Sequence, residues 1–142
     1  FTNFLPLGGL PKVTENVAAG GNNFELLCRF FCFPGEWDEY EGLARFMFSS
    51  YITVPVYANF FTWLGYGDEI AEMRSLWEQK DRAGAAAAAP RELIEDTFLI
   101  GPPEKIRERL DAYVAGGITL PVITPITTPD KMEETIRALA PR

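Results

Sequence analysis

Histidine, the side chain that most often moves protons near neutral pH, is absent from the 142 residues of this sequence. Neither a Ser-His-Asp nor a Cys-His nucleophilic site can therefore be assembled from this chain alone. The side chains that could still take part in chemistry are carboxylates, tyrosines and two cysteines, Cys28 and Cys32. We expect any reaction to depend on these groups, on a bound cofactor or on residues elsewhere.

The two cysteines lie in an apolar run from Phe24 to Phe33, which predicts a strand buried on both faces, as in parallel sheets. Four residues apart on a strand, their Cα atoms would be about 13 Å apart, whereas a disulfide requires less than about 7 Å. A zinc site would have to borrow carboxylates. We expect two reduced, buried thiols in a reducing compartment, and no metal.

Glu25 and Arg29 are the charged residues of the same run, and strand alternation places both on one face. They are too far apart to bond each other directly, and a charge in a buried strand needs a partner. A structural ion pair with a neighbouring strand is the favoured interpretation, and a catalytic role is the alternative.

Residues 36–66 are dense in aromatic side chains. This segment follows the end of the strand that the run predicts, where parallel α/β folds bind their ligands. The aromatic residues could form a core, a subunit interface or the wall of a pocket for a flat ring. Helical spacing predicts that one face of the first helix there is buried, formed by Tyr40, Leu43, Ala44, Met47 and Tyr51.

Three strands are predicted, over residues 1–5, 24–33 and 118–124, and amphipathic helices alternate with them. This order indicates an α/β fold with parallel strands. In residues 103–140 we expect a helix, a strand and a helix. The spacing predicts that five of their side chains are buried: Ile106, Leu110, Met132, Ile136 and Leu139.

The formal net charge of −7 and the absence of a basic tract disfavour nucleic acid and anionic membrane surfaces as partners. No apolar stretch reaches the roughly 18 residues of a membrane helix, and no basic region precedes the apolar start at Phe1. We expect a soluble, cytoplasmic chain whose upstream part is missing.

Residues 92–106, which include Ile100-Gly101-Pro102-Pro103-Glu104, resemble the luciferase-like monooxygenase pattern in which Gly-Thr/Ser-Pro-Glu-Glu opens the penultimate barrel helix. Residues 115–118 resemble that family's turn into the last barrel strand. Residues 51–60, followed by 64–68, resemble a segment common in its deazaflavin-dependent branch. Pro102 stands where the family has Thr or Ser, which removes a hydroxyl group from the start of that helix.

The resemblance implies the C-terminal part of a (β/α)8 TIM-type barrel, with about three βα units and a helical excursion over residues 36–100 within a single domain fragment, 1–142. It implies an oxidoreductase that transfers a hydride between a reduced flavin or deazaflavin and a small organic substrate. The cofactor would be coenzyme F420 or, alternatively, FMN. Thr2 and Asn3 match positions that in relatives face the cofactor ring or a substrate phosphate, and both are expected to bind the cofactor. Phe4 and Tyr57 are candidates for the substrate pocket. The catalytic residues are expected upstream of Phe1.

The alternative hypothesis is a non-catalytic half-barrel that acts as an assembly or binding module. Three strands of a barrel would leave apolar edges and an unfilled inner face. We therefore expect the chain to form a homo-oligomer or to associate with its missing N-terminal portion.

Overall fold

The computed structural model describes residues 2–21 and 25–140. The chain divides into two compact units. The first combines Phe1–Glu39 with Glu95–Arg142, and the second is Tyr40–Ile94. The predicted starts of two strands, Phe1 and Phe24, lie outside the described residues.

The first unit contains a sheet in which every described pairing is parallel, as the sequence predicts. The strands are β1 (Thr2–Asn3), β2 (Leu27–Pro34), β3 (Leu99–Gly101) and β4 (Leu120–Pro125). The central strand is β2, and β4 pairs with it from Leu27 to Cys32. Strands β1 and β3 must therefore lie along the opposite edge of β2.

Strand β3 is absent from the prediction. It has only three residues and directly follows a helix, so its apolar residues give no alternating pattern by which to recognise it. Strand β4 tolerates Pro121 because, among the described strands, it pairs with β2 alone and forms an edge of the sheet.

Helices make up most of the remaining described chain. They are α1 (Leu10–Ala18), α2 (Trp37–Ile52), α3 (Pro55–Leu64), α4 (Ala71–Glu78), α5 (Arg82–Ala88), α6 (Arg91–Thr97), α7 (Pro103–Ala115) and α8 (Met132–Leu139). No helix within residues 2–21 and 25–140 is long and apolar enough to cross a membrane.

The predicted order of helix, strand and helix over residues 103–140 is confirmed by α7, β4 and α8. Ile106, Leu110 and Leu139 are buried as predicted, and Met132 is half-buried. The prediction for Ile136 is wrong, because 49% of this residue is exposed.

Helix α8 is short and buries a narrow stripe formed by Thr135 and Leu139, which are four residues apart on one side. Ile136 lies one residue further along the chain, which turns it about 100° away from Thr135.

The two faces of β2 have different surroundings. Cys28, Phe30 and Cys32 share one face and are almost completely buried. The Phe30 ring lies 4.5 Å from the Tyr113 ring of α7, so helices cover this face. Arg29 alternates with these residues and points to the opposite face.

The second unit is helical, and its core includes an edge-to-face contact between Phe48 and Phe61, whose ring centroids are 5.7 Å apart. The predicted buried face of α2 is only partly correct: Ala44 is buried, whereas Leu43 is 45% and Tyr51 is 37% exposed. The buried residues of α2 in this unit are Ala44, Phe48, Ser49 and Ile52. Phe48 packs on α3, so that contact decides which side of α2 turns inward.

Candidate functional site

The two predicted cofactor-binding residues form the short strand β1. Thr2 is the register partner of Cys28, and Asn3 is the register partner of Arg29. Neighbouring residues of a strand point to opposite faces, and register partners point to the same face. Thr2 therefore lies on the helix-covered face with Cys28, and Asn3 lies beside Arg29 on the opposite face.

Arg29 and Asn3 bring together two buried polar atoms that have no hydrogen-bond partner among residues 2–21 and 25–140. These atoms are Nε of Arg29 and Oδ1 of Asn3. The guanidinium carbon of Arg29 lies 4.9 Å from the ring centroid of Phe31, in a cation–π arrangement. The two side chains thus place a fixed positive charge and an amide next to each other on one face of the sheet.

The ion pair expected for Arg29 is not formed with any residue in the described ranges. Glu25 is exposed and precedes the first residue of β2, Leu27. The other cross-strand neighbour of Arg29 is Val122, which offers no side-chain acceptor. The sequence identified Arg29 as a charge that needs a partner, but it could not show that neighbouring strands leave it without one.

Phe4, a predicted pocket residue, is part of an aromatic cluster, and its role in a substrate pocket stays a prediction. It is 1% exposed, and its ring stacks on Phe31 at 5.3 Å and lies 6.0 Å from Phe98. Its φ of 52° is unusual for a residue other than glycine and turns the chain away at the end of β1. The cluster fixes the end of the strand that carries Asn3.

A polar network that the sequence did not predict fixes the segment that follows β1. The Tyr113 hydroxyl donates towards the carbonyl oxygens of Leu5 and Asp96, at 2.6 and 3.0 Å. Arg109 donates to the Asp96 carbonyl and carboxylate, at 3.0 and 3.3 Å. The other carboxylate oxygen of Asp96 accepts from the backbone N–H of Gly8 at 3.0 Å. Burial raises the pKa of Tyr113, so its hydroxyl stays protonated and remains a donor.

Cys28 and Cys32 are free, buried thiols on the covered face of β2. Burial raises the pKa of each thiol from 9.0 to about 12, because the thiolate would be poorly solvated there. Such thiols are poor nucleophiles near neutral pH. Within the described chain, no three His, Cys, Asp or Glu residues are grouped so as to hold a metal ion.

The carboxyl ends of β1 and β4 point the same way, as expected for parallel strands. They do not end level, however, because Asn3 is beside Arg29 whereas Thr124 is beside Phe31 and Pro125 is beside Cys32. At about 3.3 Å per residue, this offset is roughly 7–10 Å along β2. Asn3 and Arg29 therefore lie deeper in the sheet than the end of β4.

Tyr57, the other predicted pocket residue, belongs to the second unit. It is half-buried on α3, and its ring meets Tyr51 edge to face at 6.3 Å. Its role in a substrate pocket stays a prediction.

The parallel sheet and its covering helices agree with the family to which the sequence can now be assigned. Residues 9–120 match the family model described as luciferase-like monooxygenase, and the chain belongs to that family. Its α/β architecture is consistent with the TIM-type fold that the resemblance implies.

A particular relative is a putative coenzyme F420-dependent oxidoreductase of Mycobacterium tuberculosis, which is 26% identical over 68 residues. The match covers 48% of this chain and 20% of the relative, so the chain spans about a fifth of the length of that protein. No solved structure matches the chain.

Proposed function

We propose that this protein is a flavin- or deazaflavin-dependent oxidoreductase that transfers a hydride between the reduced cofactor and a small organic substrate. The observation that carries the proposal is the family match over residues 9–120. Coenzyme F420 is favoured over FMN by the name of the mycobacterial relative and by the resemblance of residues 51–68 to the deazaflavin-dependent branch. The cofactor would supply the hydride chemistry, and the protein would supply binding, orientation and electrostatics.

The described residues have hydrogen-bonding capacity that such a cofactor could use. Oδ1 of Asn3 and Nε of Arg29 are buried and have no hydrogen-bond partner in the part of the chain that the structure describes. Both are strong hydrogen-bonding groups, and an unpaired buried polar group costs free energy. Asn3 and Arg29 are the residues that would contact the cofactor or its substrate. We assign no catalytic residue to the chain.

The cofactor assignment is tested by titrating the full-length protein with coenzyme F420 and, separately, with FMN, following ligand fluorescence. We expect saturable binding of at least one, with F420 the tighter ligand. Asn3→Ala should weaken that binding, because the variant removes the amide from the face of the sheet that carries Arg29. Gln79→Ala is the matched control and should leave the affinity unchanged, because it removes an exposed amide that bonds only Ser75 at the end of α4. A folded protein that binds neither ligand contradicts the proposal.

A second candidate function, a non-catalytic assembly module, is favoured by large apolar side chains that remain in contact with solvent. Val56 is 66% and Phe46 is 54% exposed, and both belong to the second unit. Exposed apolar surface is typical of interaction sites when it is contiguous. Sedimentation of the full-length protein distinguishes the two functions when combined with the titration. Self-association without binding of either cofactor supports the assembly module.

A further inference from the structure

Helix α3 lies within residues 46–67, the longest stretch of the sequence without a charged side chain. Val56, Phe60 and Trp63 follow one another along this helix at the spacing i, i+4, i+7, so they lie on one side of it and together form the α3 stripe. We propose that the α3 stripe is a self-association surface, which packs against the α3 stripe of a second copy of this chain. The inference concerns the assembly of the protein and does not depend on the proposed cofactor.

The α3 stripe is apolar and yet remains in contact with solvent. Val56 is 66% and Trp63 is 41% exposed, and Phe60 is half-buried. The opposite side of α3 carries Ala58 and Phe61, which are buried in the second unit. The rings of Phe60 and Trp63 stack on each other with 6.0 Å between their centroids, which holds both rings in place. The second unit thus uses one side of α3 for its core and leaves the stripe exposed.

The charge of the chain favours a second copy as the partner. Two copies, each with a formal net charge of −7, repel each other unless they meet through a surface that carries no charge. The α3 stripe is such a surface, and the exposed residues beside it on the helix, Asn59 and Thr62, are also uncharged. Basic residues, which attach helices to membrane surfaces, do not occur in residues 46–67. An uncharged apolar stripe is complementary to itself, so a second copy fits it better than a charged partner does.

A two-fold axis beside Phe60 would place a large side chain opposite a small one. Along the helix axis, Val56 lies about 6 Å before Phe60, and Trp63 lies about 4.5 Å after it. In an antiparallel pair of α3 helices, Trp63 of each copy therefore lies opposite Val56 of the other, and the two Phe60 rings lie next to the axis. The same contact between Trp63 and Val56 is then formed twice, and the small valine lets the two helices approach closely.

The area of the α3 stripe sets the expected strength of the dimer. With the exposed residues that flank it, the stripe presents on the order of 500 Å² in each copy. The pair would bury about 1,000 Å², which is near the lower limit of specific interfaces. We therefore expect a weak dimer, with a dissociation constant in the micromolar range.

The free edge of β4 is the competing site, because an edge strand can pair with a strand of another chain. The backbone N–H of Ile126 donates to the Cys32 carbonyl oxygen of β2 at 2.7 Å, so the alternate positions 121, 123 and 125 face away from β2. Pro121 and Pro125 have no N–H, so Ile123 is the one donor that the described residues of β4 present on the free edge. A second copy would find only part of a hydrogen-bond ladder there, whereas the α3 stripe needs no backbone donors.

The test is sedimentation velocity of the full-length protein over a range of micromolar concentrations. The wild-type protein should pass from monomer to dimer as its concentration rises. Val56→Asp should raise the dissociation constant about tenfold or more, because each dimer would bury two carboxylates against Trp63. The variant should fold, since Val56 is exposed and a carboxylate in the first turn of a helix is favourable.

Val114→Asp is the matched control, because it makes the same substitution at an exposed valine of α7 in the first unit. It should leave the dissociation constant unchanged. Mixing Val56→Lys with Trp63→Glu tests which residues meet across the axis. Each of these variants should dimerise poorly alone, whereas the mixture should form a mixed dimer. The mixed dimer would keep one contact between Val56 and Trp63 and gain an ion pair in place of the other.

The proposal is overturned if the wild-type protein stays monomeric at every concentration, or if Val56→Asp and Val114→Asp have equal effects on the dimer. A wild-type monomer that binds vesicles of neutral phospholipid, with binding abolished in Val56→Asp, would overturn it in favour of a membrane surface. A mixture that forms no mixed dimer overturns the pairing of Val56 with Trp63. If Trp63→Glu fails to fold, the comparison of Val56→Asp with Val114→Asp decides by itself.

Discussion

Replacing Tyr113 with phenylalanine removes a single hydroxyl group from the network that holds the end of β1 against α7. In the folded protein this hydroxyl lies 2.6 Å from the Leu5 carbonyl oxygen and 3.0 Å from that of Asp96. The contact of the ring with Phe30, at 4.5 Å between centroids, does not involve the hydroxyl. The substitution therefore tests the hydrogen bonds separately from the packing.

The expected cost follows from which carbonyl loses its donor. Arg109 still donates to the Asp96 carbonyl at 3.0 Å, so that group remains bonded. The Leu5 carbonyl loses the Tyr113 donor in a fully buried residue. A lost hydrogen bond combined with an unsatisfied buried acceptor costs about 1–3 kcal/mol. We expect the free energy of unfolding to fall by about 2 kcal/mol and the melting temperature by roughly 6 °C.

Urea unfolding followed by circular dichroism measures this change, with Tyr51→Phe as the control. Tyr51 is 37% exposed, and its edge-to-face contact with Tyr57 is retained by a phenylalanine ring. The control should change stability by less than about 0.5 kcal/mol. Equal effects of the two substitutions, or a Tyr113→Phe protein as stable as the wild type, would refute the role assigned to the network.

Two further predictions concern Cys28 and a pair of glycines. Burial raises the pKa of Cys28 to about 12, whereas the thiol of the unfolded chain ionises near 9. The contribution of the buried Cys28 thiol to the free energy of unfolding is therefore present below pH 9 and is lost as the pH rises towards 12. Between about pH 8 and 11, the stability of Cys28→Ala should fall less steeply than that of the wild type in denaturant titrations, and identical slopes contradict this. Gly101→Ala should destabilise by about 1–3 kcal/mol, because φ is 145° and the new Cβ would lie 2.7 Å from Cδ of Lys105. Gly42→Ala should stabilise the protein by about 0.5–1 kcal/mol, because its new Cβ would lie in open space on α2. Thermal unfolding measures both glycine variants, and melting temperatures that shift in the same direction for Gly101→Ala and Gly42→Ala would contradict these predictions.

The sequence predicted much of the first unit because its signals are local and mutually consistent. The apolar run that contains Cys28 and Cys32 indicated a strand buried on both faces, and the parallel ladders of β2 agree with it. Gly116-Gly117 and Thr128-Pro129 delimit β4 between two helices, in the predicted order. The family was likewise indicated by short motifs that occur in this chain in the order and spacing typical of the family.

It was harder to predict which side of a helix is buried when the helix has apolar residues on more than one side. In α2 the apolar residues extend around the helix, so the stripe containing Leu43 and Tyr51 was as plausible a buried face as the one containing Phe48. Periodicity shows that a helix has an apolar face, but the contact between Phe48 and Phe61 depends on α3. The prediction that Ile136 in α8 is buried is wrong for the same reason.

The candidate site shows the same division between sequence and tertiary structure. Residue types and strand alternation determined that the chain has no histidine, that its thiols lie on one face of a strand and that Arg29 lies on the other. The tertiary structure decided that Asn3 is the neighbour of Arg29, that Thr2 faces the helices, and that Tyr113 and Asp96 secure the end of β1. Strand register and contacts between Leu5 and Tyr113 join residues 108 positions apart along the chain, and no local pattern records which distant residues meet.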